Sequence, residues 1–256
     1  MNYQTLDVRF EHSVCYIQIS RPEANNTIND LMVEEFHRVL DLCEAEITVL
    51  VIEGSADVFC FGADFEEMNQ KKTDPNRGDS DPGPEPLYRL WERLASGPWV
   101  SVACVRGKVN AGGVGFVAAS DVVLADESAQ IGLSEMVFGV LPACVFPFLM
   151  RRIGFRAANY MALMTRPISV SQAQQWGLFD AVEPSVSSLL RKHLLSLRRL
   201  SKKDVIRYKS YVSRLDDTIS KAKPAALDAN RDVFNDKQTL AGIFRYLETG
   251  QFPWEA

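Results

Sequence analysis

Two glycine-rich turns and one glutamate hold most of the chemistry this sequence can offer. One turn lies in "FCFGADFEEM" (59–68), after a strand-like run; the other lies in "NAGGVGF" (110–116) and leads into a helix-like segment. Glycines crowded at such turns let main-chain groups come close to something that a side chain would block. The glutamate is Glu135, within "IGLSEMVFGVLPA" (131–143). Taken alone it is either a solvated helix residue or a general acid/base. A fourth feature, "SRPEANNTIN" (20–29), is a turn directly after the first strand. Singly, each of the four has many structural explanations.

The other reactive side chains argue against competing chemistries. Cys15, Cys43, Cys60, Cys104 and Cys144 are odd in number and widely spaced, with no CxxC pair, and histidine occurs only at 12, 37 and 193. Neither a zinc site nor a disulfide framework is expected, and reduced core thiols are the simpler reading. Cys144 stays open because of its position, although no histidine lies near it in sequence to activate a thiolate. A net charge of -5 gives no reason to expect nucleic-acid binding. Charge is uneven, however: "RKHLLSLRRLSKKDVIRYK" (191–209) has only Asp204 opposing its cations. That run is either a docking surface for an anionic partner or a solvated helix face. No apolar run approaches the roughly 20 residues that span a bilayer. The N-terminal stretch shows no basic segment followed by an apolar one, so a cytoplasmic protein with no membrane partner is expected.

The elements that must position these residues alternate between strand and helix. "VCYIQI" (14–19), "TVLVIEG" (48–54), "VSVACV" (100–105) and "DVVLA" (121–125) read as short buried strands. Between the first two, Asn29 or Asp30 caps a helix whose apolar positions are Met32, Phe36, Val39, Leu40 and Cys43. Interleaving of this kind predicts an α/β architecture with partly parallel pairing. "KKTDPNRGDSDPGPEP" (71–86) is rich in Pro, Gly and charge and reads as a mobile loop. Beyond Gly154 the pattern turns helical, with Ser169 and Gln172 at capping-box spacing and Gly177 as a stop. Leu190, Leu194 and Leu197 line one face of the basic run, and "VEPSVSS" (182–188) is the one plausible seam.

In this order and spacing the four features resemble the enoyl-CoA hydratase/isomerase, or crotonase, superfamily, over about residues 5–200 and more loosely in the tail. The resemblance implies a ClpP/crotonase-like ββα spiral core over 1–190 and a C-terminal helical trimerisation region over 191–256 of the same unit. It also implies an acyl thioester polarised by two backbone N–H groups, which by motif position are those of Ala63 and Gly112. Removing one such donor typically costs about 3–4 kcal/mol of transition-state stabilisation. No cofactor is implied beyond the phosphopantetheine arm that carries the substrate on acyl carrier protein or CoA. Asp64, after the Ala63 turn, either holds the loop or joins proton transfer. Asn110 either orients a water or hydroxyl or satisfies the turn. Cys144 follows "LPA", a stretch that lines the acyl pocket in this superfamily.

One departure narrows the reading. Hydratases of this superfamily that use two glutamates place one three residues after the oxyanion-hole glycine, and that position here is Gly115; the second is retained as Glu135. A single carboxylate can remove an α-proton and return it to a departing β-hydroxyl, most readily when the hydroxyl sits on a tertiary carbon. "RPEANNTIND", "VFCFGADF", "VRGKVNAGG", "LPACVFPFLMRRIG" and "ETGQFPW" look like the β-branching dehydratases of trans-acyltransferase polyketide clusters of the bacillaene type. That resemblance implies dehydration of 3-hydroxy-3-methylglutaryl-acyl carrier protein to the 3-methylglutaconyl thioester. It implies a cation near the substrate carboxylate, for which Lys108, Arg89 and Tyr88 are candidates. Arg191, Lys192, Arg198, Arg199 and Lys202 are the candidate carrier-docking residues, and a homo-trimer or hexamer is the implied assembly. The alternatives are the partner decarboxylase, a CoA-thioester hydratase or isomerase, and a catalytically silent scaffold.

Overall fold

A computed structural model of the chain describes residues 3–73 and 83–255. The strands are β1 (Leu6–Glu11), β2 (Val14–Ile19), β3 (Val49–Glu53), β4 (Val58–Cys60), β5 (Val100–Val105), β6 (Lys108–Asn110), β7 (Val122–Ala125), β8 (Gln130–Gly132) and β9 (Ala181–Val182). The helices are α1 (Asp30–Cys43), α2 (Phe65–Thr73), α3 (Glu85–Ser96), α4 (Gly113–Ala119), α5 (Phe146–Met164), α6 (Val170–Gln175), α7 (Val186–Leu197), α8 (Lys202–Leu215), α9 (Thr218–Asn235) and α10 (Lys237–Thr249). Among the described residues two sheets form, one in the order β1-β2-β3-β5-β7-β9 and one in the order β4-β6-β8. The β1–β2 hairpin is antiparallel, and the other pairings between these strands are parallel.

The central strands β3, β5 and β7 of the larger sheet are buried on both faces, as parallel strands covered on both sides must be. Ile17, Leu50, Ile52, Ala103, Val105 and Val123 face one core, which also takes in α1, α3 and α4; Val49, Val51, Val102, Cys104 and Leu124 face a second. That second core is closed by Val186, Leu189, Leu190 and Leu194 of α7. Burying side chains of this size contributes about 1.5–3 kcal/mol each, before the entropy of ordering them. The smaller sheet, through Cys60, Val109 and Ile131, joins the first core, as do Ala226 and Leu227 of α9.

Local signals set most of the boundaries. Asn29 caps α1 by accepting from the Met32 N–H, and Ser169 caps α6 by accepting from the Gln172 N–H. Gly177 takes a positive φ of 78° after α6, a conformation open to glycine at little cost. The expected basic helix divides in two. Ser201 interrupts it and caps α8, accepting from Asp204. Of the expected 71–86 loop, residues 71–73 end α2 and 85–86 begin α3, while 74–82 lie outside the described residues.

Candidate active site

The two glycine-rich turns meet. Ile28 receives the main chain of the first turn, its N–H donating to Gly62 (2.7 Å) and its carbonyl accepting from Asp64 (2.9 Å). This leaves the Ala63 N–H between them without an intramolecular acceptor among the described residues, and the Gly112 N–H is in the same condition. The two amides are neighbours: a Cβ built on Gly112 would lie 3.9 Å from the Ala63 nitrogen, and one built on Gly62 would lie 3.5 Å from the Gly112 nitrogen. Ala111 holds a φ of 49° to present Gly112, a strained conformation for a non-glycine residue. Two adjacent unpaired N–H groups are what an oxyanion requires. Helix α4, at seven residues, is too short for a large dipole, so the amides themselves carry the polarisation.

Asp64 braces this turn. One of its oxygens accepts from Arg21 (2.8 Å) and Thr27 Oγ1 (3.2 Å), and the other accepts from the Glu67 N–H (2.9 Å) at the start of α2. With both oxygens engaged, Asp64 braces the loop, and neither oxygen is free for proton transfer. Arg21, which no sequence signal singled out, also donates to the Thr27 carbonyl.

Glu135 opens a short 3-10 turn, Glu135–Phe138, beyond β8. Its Oε2 is buried without a hydrogen-bond partner. Burial pushes its carboxyl up to about 7, opposed in part by the main-chain N–H groups of Glu135 and Ser134. Such a group exchanges protons near neutrality. Asn110, at the end of β6, donates to Ser134 Oγ (2.7 Å), so the loop carrying Gly112 is fastened to the residue before Glu135. The turn is held from the other side by Phe138, whose ring lies 4.9 Å from Tyr246 and 6.0 Å from Phe252. The C-terminal "ETGQFPW" motif therefore supports the glutamate, a contact that no local pattern announces.

Gly115 lies one turn beyond Gly112 on α4, its N–H bonded to the Gly112 carbonyl (3.0 Å). A Cβ there would lie 2.4 Å from Cε2 and Cζ2 of Trp91 on α3. No second carboxylate fits at 115 while the indole stays in place.

Other expected residues fall elsewhere. Tyr88 is fully buried, donates to the Ile219 carbonyl (2.6 Å) and packs on Phe148, so it is not the partner of a substrate carboxylate. Helix α3 turns that position inward along with Leu90, Trp91, Leu94 and Ala95. Arg89 and Lys108 are exposed, and Lys108 shares a side of β6 with Asn110. The Cys144 thiol is buried near the Ala226 carbonyl (3.8 Å), and burial pushes it up to about 12, which makes it a packing residue rather than a nucleophile. All five cysteines are free and buried.

The basic run is largely committed to structure. Lys202 donates to the carbonyls of Ile47 (2.5 Å) and Cys43 (3.3 Å), closing the end of α1. Lys192 pairs with Glu183 and Arg198 with Glu11, each at 2.8 Å. Lys209 is buried against Asp121. Arg191 and Arg199 stay exposed. Because α7 covers the sheet face opposite the core that holds β4, β6 and β8, the run does not converge on Glu135 within one chain. Of the five candidate docking cations, Lys192, Arg198 and Lys202 are engaged within the chain.

Two adjacent unpaired amides and a glutamate with a buried carboxyl oxygen lie on loops joined by the Asn110–Ser134 hydrogen bond. The chain belongs to the enoyl-CoA hydratase/isomerase family, whose pattern matches residues 9–256, and its chemistry is that of a hydro-lyase. It is 56% identical over 256 residues to the bacillaene synthase dehydratase PksH of Bacillus subtilis, covering 100% of this chain and 98% of that one. The crystal structure of a putative polyketide biosynthesis enoyl-CoA hydratase (pksH) from Bacillus subtilis superposes with a TM-score of 0.95 at 56% identity, covering 98% of this chain and 100% of that one. The 2,3-dehydroadipyl-CoA hydratase of Escherichia coli is 29% identical over 92% of this chain and 84% of its own length. The crotonase fold expected from the motifs is thus present. Among the described residues no helix is long and apolar enough to cross a membrane.

Proposed function

We propose that this chain dehydrates a β-hydroxyacyl thioester with a tertiary hydroxyl, 3-hydroxy-3-methylglutaryl-acyl carrier protein, to the 3-methylglutaconyl thioester. The observation that carries this reading is a site with one near-neutral carboxylate, Glu135, and an indole filling the only place a second was expected. Full-length similarity to the bacillaene synthase dehydratase supports the polyketide setting. The thioester oxygen accepts from the Ala63 and Gly112 N–H groups. Glu135 as carboxylate removes the α-proton, and the enolate forms against the two amides. Glu135, now protonated, returns that proton to the departing β-hydroxyl on the same face, releasing water and the unsaturated thioester. A tertiary centre eases this step, because branching stabilises the positive character that grows as the C–O bond weakens. No cofactor takes part in this scheme.

Lys108 is the cation we assign to the substrate's free carboxylate, since Tyr88 is spent on Ile219. Carrier docking would fall to Arg191 and Arg199, the two of the five expected cations with no side-chain partner among the described residues. The exposed Phe155 and Leu163 on α5, at 62% and 60% exposure, suit self-association into the expected trimer or hexamer. The test is mass spectrometry of acyl carrier protein loaded with the hydroxymethylglutaryl group. Loss of one water with the wild-type enzyme is expected, and intact substrate overturns the assignment.

A further inference from the structure

The place where the missing side chain would begin is occupied by an indole ring. Trp91 is 1% exposed, and its ring is held edge-on by Phe116 (6.0 Å, 84°) and Phe148 (5.9 Å, 77°). Its Cε2 and Cζ2 lie 2.4 Å from a Cβ built on Gly115, so the indole stands where that side chain would begin. A second observation is independent of this fit. The Nε1–H, on the nitrogen bonded directly to Cε2, is buried without an acceptor. Leaving a buried donor unpaired costs about 1–3 kcal/mol. The neighbouring aromatic on the same helix avoids that cost, since Tyr88 donates to the Ile219 carbonyl. Glu135 Oε2 is also buried and unpaired. Trp99 Nε1 is unpaired as well, but that ring lies beneath Lys202 beyond the end of α3.

We infer that the Trp91 Nε1–H takes the place of the second carboxylate and donates a hydrogen bond to the β-oxygen of the bound hydroxyacyl thioester. This rests on the dehydration reading above. Glu135 takes the α-proton and the enolate forms. As it collapses, the β C–O bond breaks with its electron pair on oxygen, and Glu135 delivers the proton that completes water. The indole proton is shared with that oxygen and never transferred. A neutral N–H orients and steadies a leaving hydroxyl but does not protonate it, which leaves Glu135 as the one acid.

Trp91→Phe keeps an aromatic plug and removes the donor. Two rates are measured on chemically prepared 3-hydroxy-3-methylglutaryl-acyl carrier protein: water loss by mass spectrometry, and exchange of the α-proton for solvent deuterium. The inference expects water loss to fall about 10–100-fold, the range of one hydrogen bond to a charging oxygen. It expects α-exchange and KM to stay within about twofold, because Glu135 and the amides are untouched. Unchanged water loss in Trp91→Phe overturns the donor role, as does an equal fall in both rates, which marks a packing role. If Trp91→Phe fails to fold, 3-benzothienylalanine at 91 repeats the comparison with sulfur in place of N–H. A wild-type enzyme that exchanges the α-proton but never loses water overturns the dehydration reading itself, and the β-oxygen role of Trp91 with it.

Discussion

Glu35 and Glu135 are the same side chain in opposite circumstances. Glu35, at 2% exposure on α1, accepts from the Gln4 N–H (2.8 Å), the Thr5 N–H (2.9 Å) and Thr5 Oγ1 (2.5 Å), and so clasps the N-terminal segment to the core. Glu135 keeps one oxygen buried with no donor at all. A buried carboxylate whose oxygens accept from several donors holds segments together and serves the structure. One that lacks them is driven toward protonation and is held for chemistry, its cost offset when substrate arrives. The same contrast separates Asp64, with both oxygens bonded beside the oxyanion turn, from the bare amides it braces.

Substitution tests this contrast most severely at Glu135. Glu135→Gln is expected to lower turnover about 10²–10⁴-fold, the range of a lost general acid/base, while the unfolding temperature holds or rises. A variant that turns over at the wild-type rate would remove Glu135 from the mechanism. Glu35→Ala should do the reverse. Stripping the carboxylate from three buried donors should cost about 3 kcal/mol of stability by denaturant titration, with activity per folded molecule within about twofold. Gly115→Ala should be milder, about 1–3 kcal/mol, as its Cβ forces the Trp91 ring to shift.

A pH series sharpens the comparison further. Proton removal needs ionised Glu135, so kcat/KM should climb as pH rises through about 7, and Glu135→Gln should abolish that limb. The same raised value has a sign for stability. The folded state holds this proton more tightly than the unfolded chain, so the group's contribution is most favourable below the unfolded value of 4.5. It is lost as pH rises to about 7. In chemical denaturation, Glu135→Gln should therefore gain on wild type above pH 7 and not at pH 4. The smallest effects belong to the exposed ion pairs: Lys192→Ala and Arg198→Ala should each change stability by less than about 1 kcal/mol.

Legibility in the sequence followed the range of the forces involved. Asn29, Ser169 and Gly177 mark helix ends through contacts within a few residues, so their roles could be read from spacing alone. Strands β2 and β5 were equally plain because both of their faces are apolar. The three-residue strands β4, β6 and β8 carry too few side chains for a period to register, yet they set the site. Tyr88 and Lys202 read as a possible ligand and a possible docking cation because their types allow it. Their partners, Ile219 and Ile47, are 131 and 155 residues away. Arg21 and Phe138 were missed for the same reason.

By itself the sequence determined the α/β alternation, the two glycine-rich turns, the single glutamate and the absence of a carboxylate at 115. Those are matters of residue type and short-range backbone preference. Only the tertiary structure decided that the Ala63 and Gly112 amides stand side by side and unpaired, that Glu135 is desolvated, and that Trp91 fills the space beside Gly115. Desolvation and pairing depend on which distant segments fold against a group, and no local pattern encodes them.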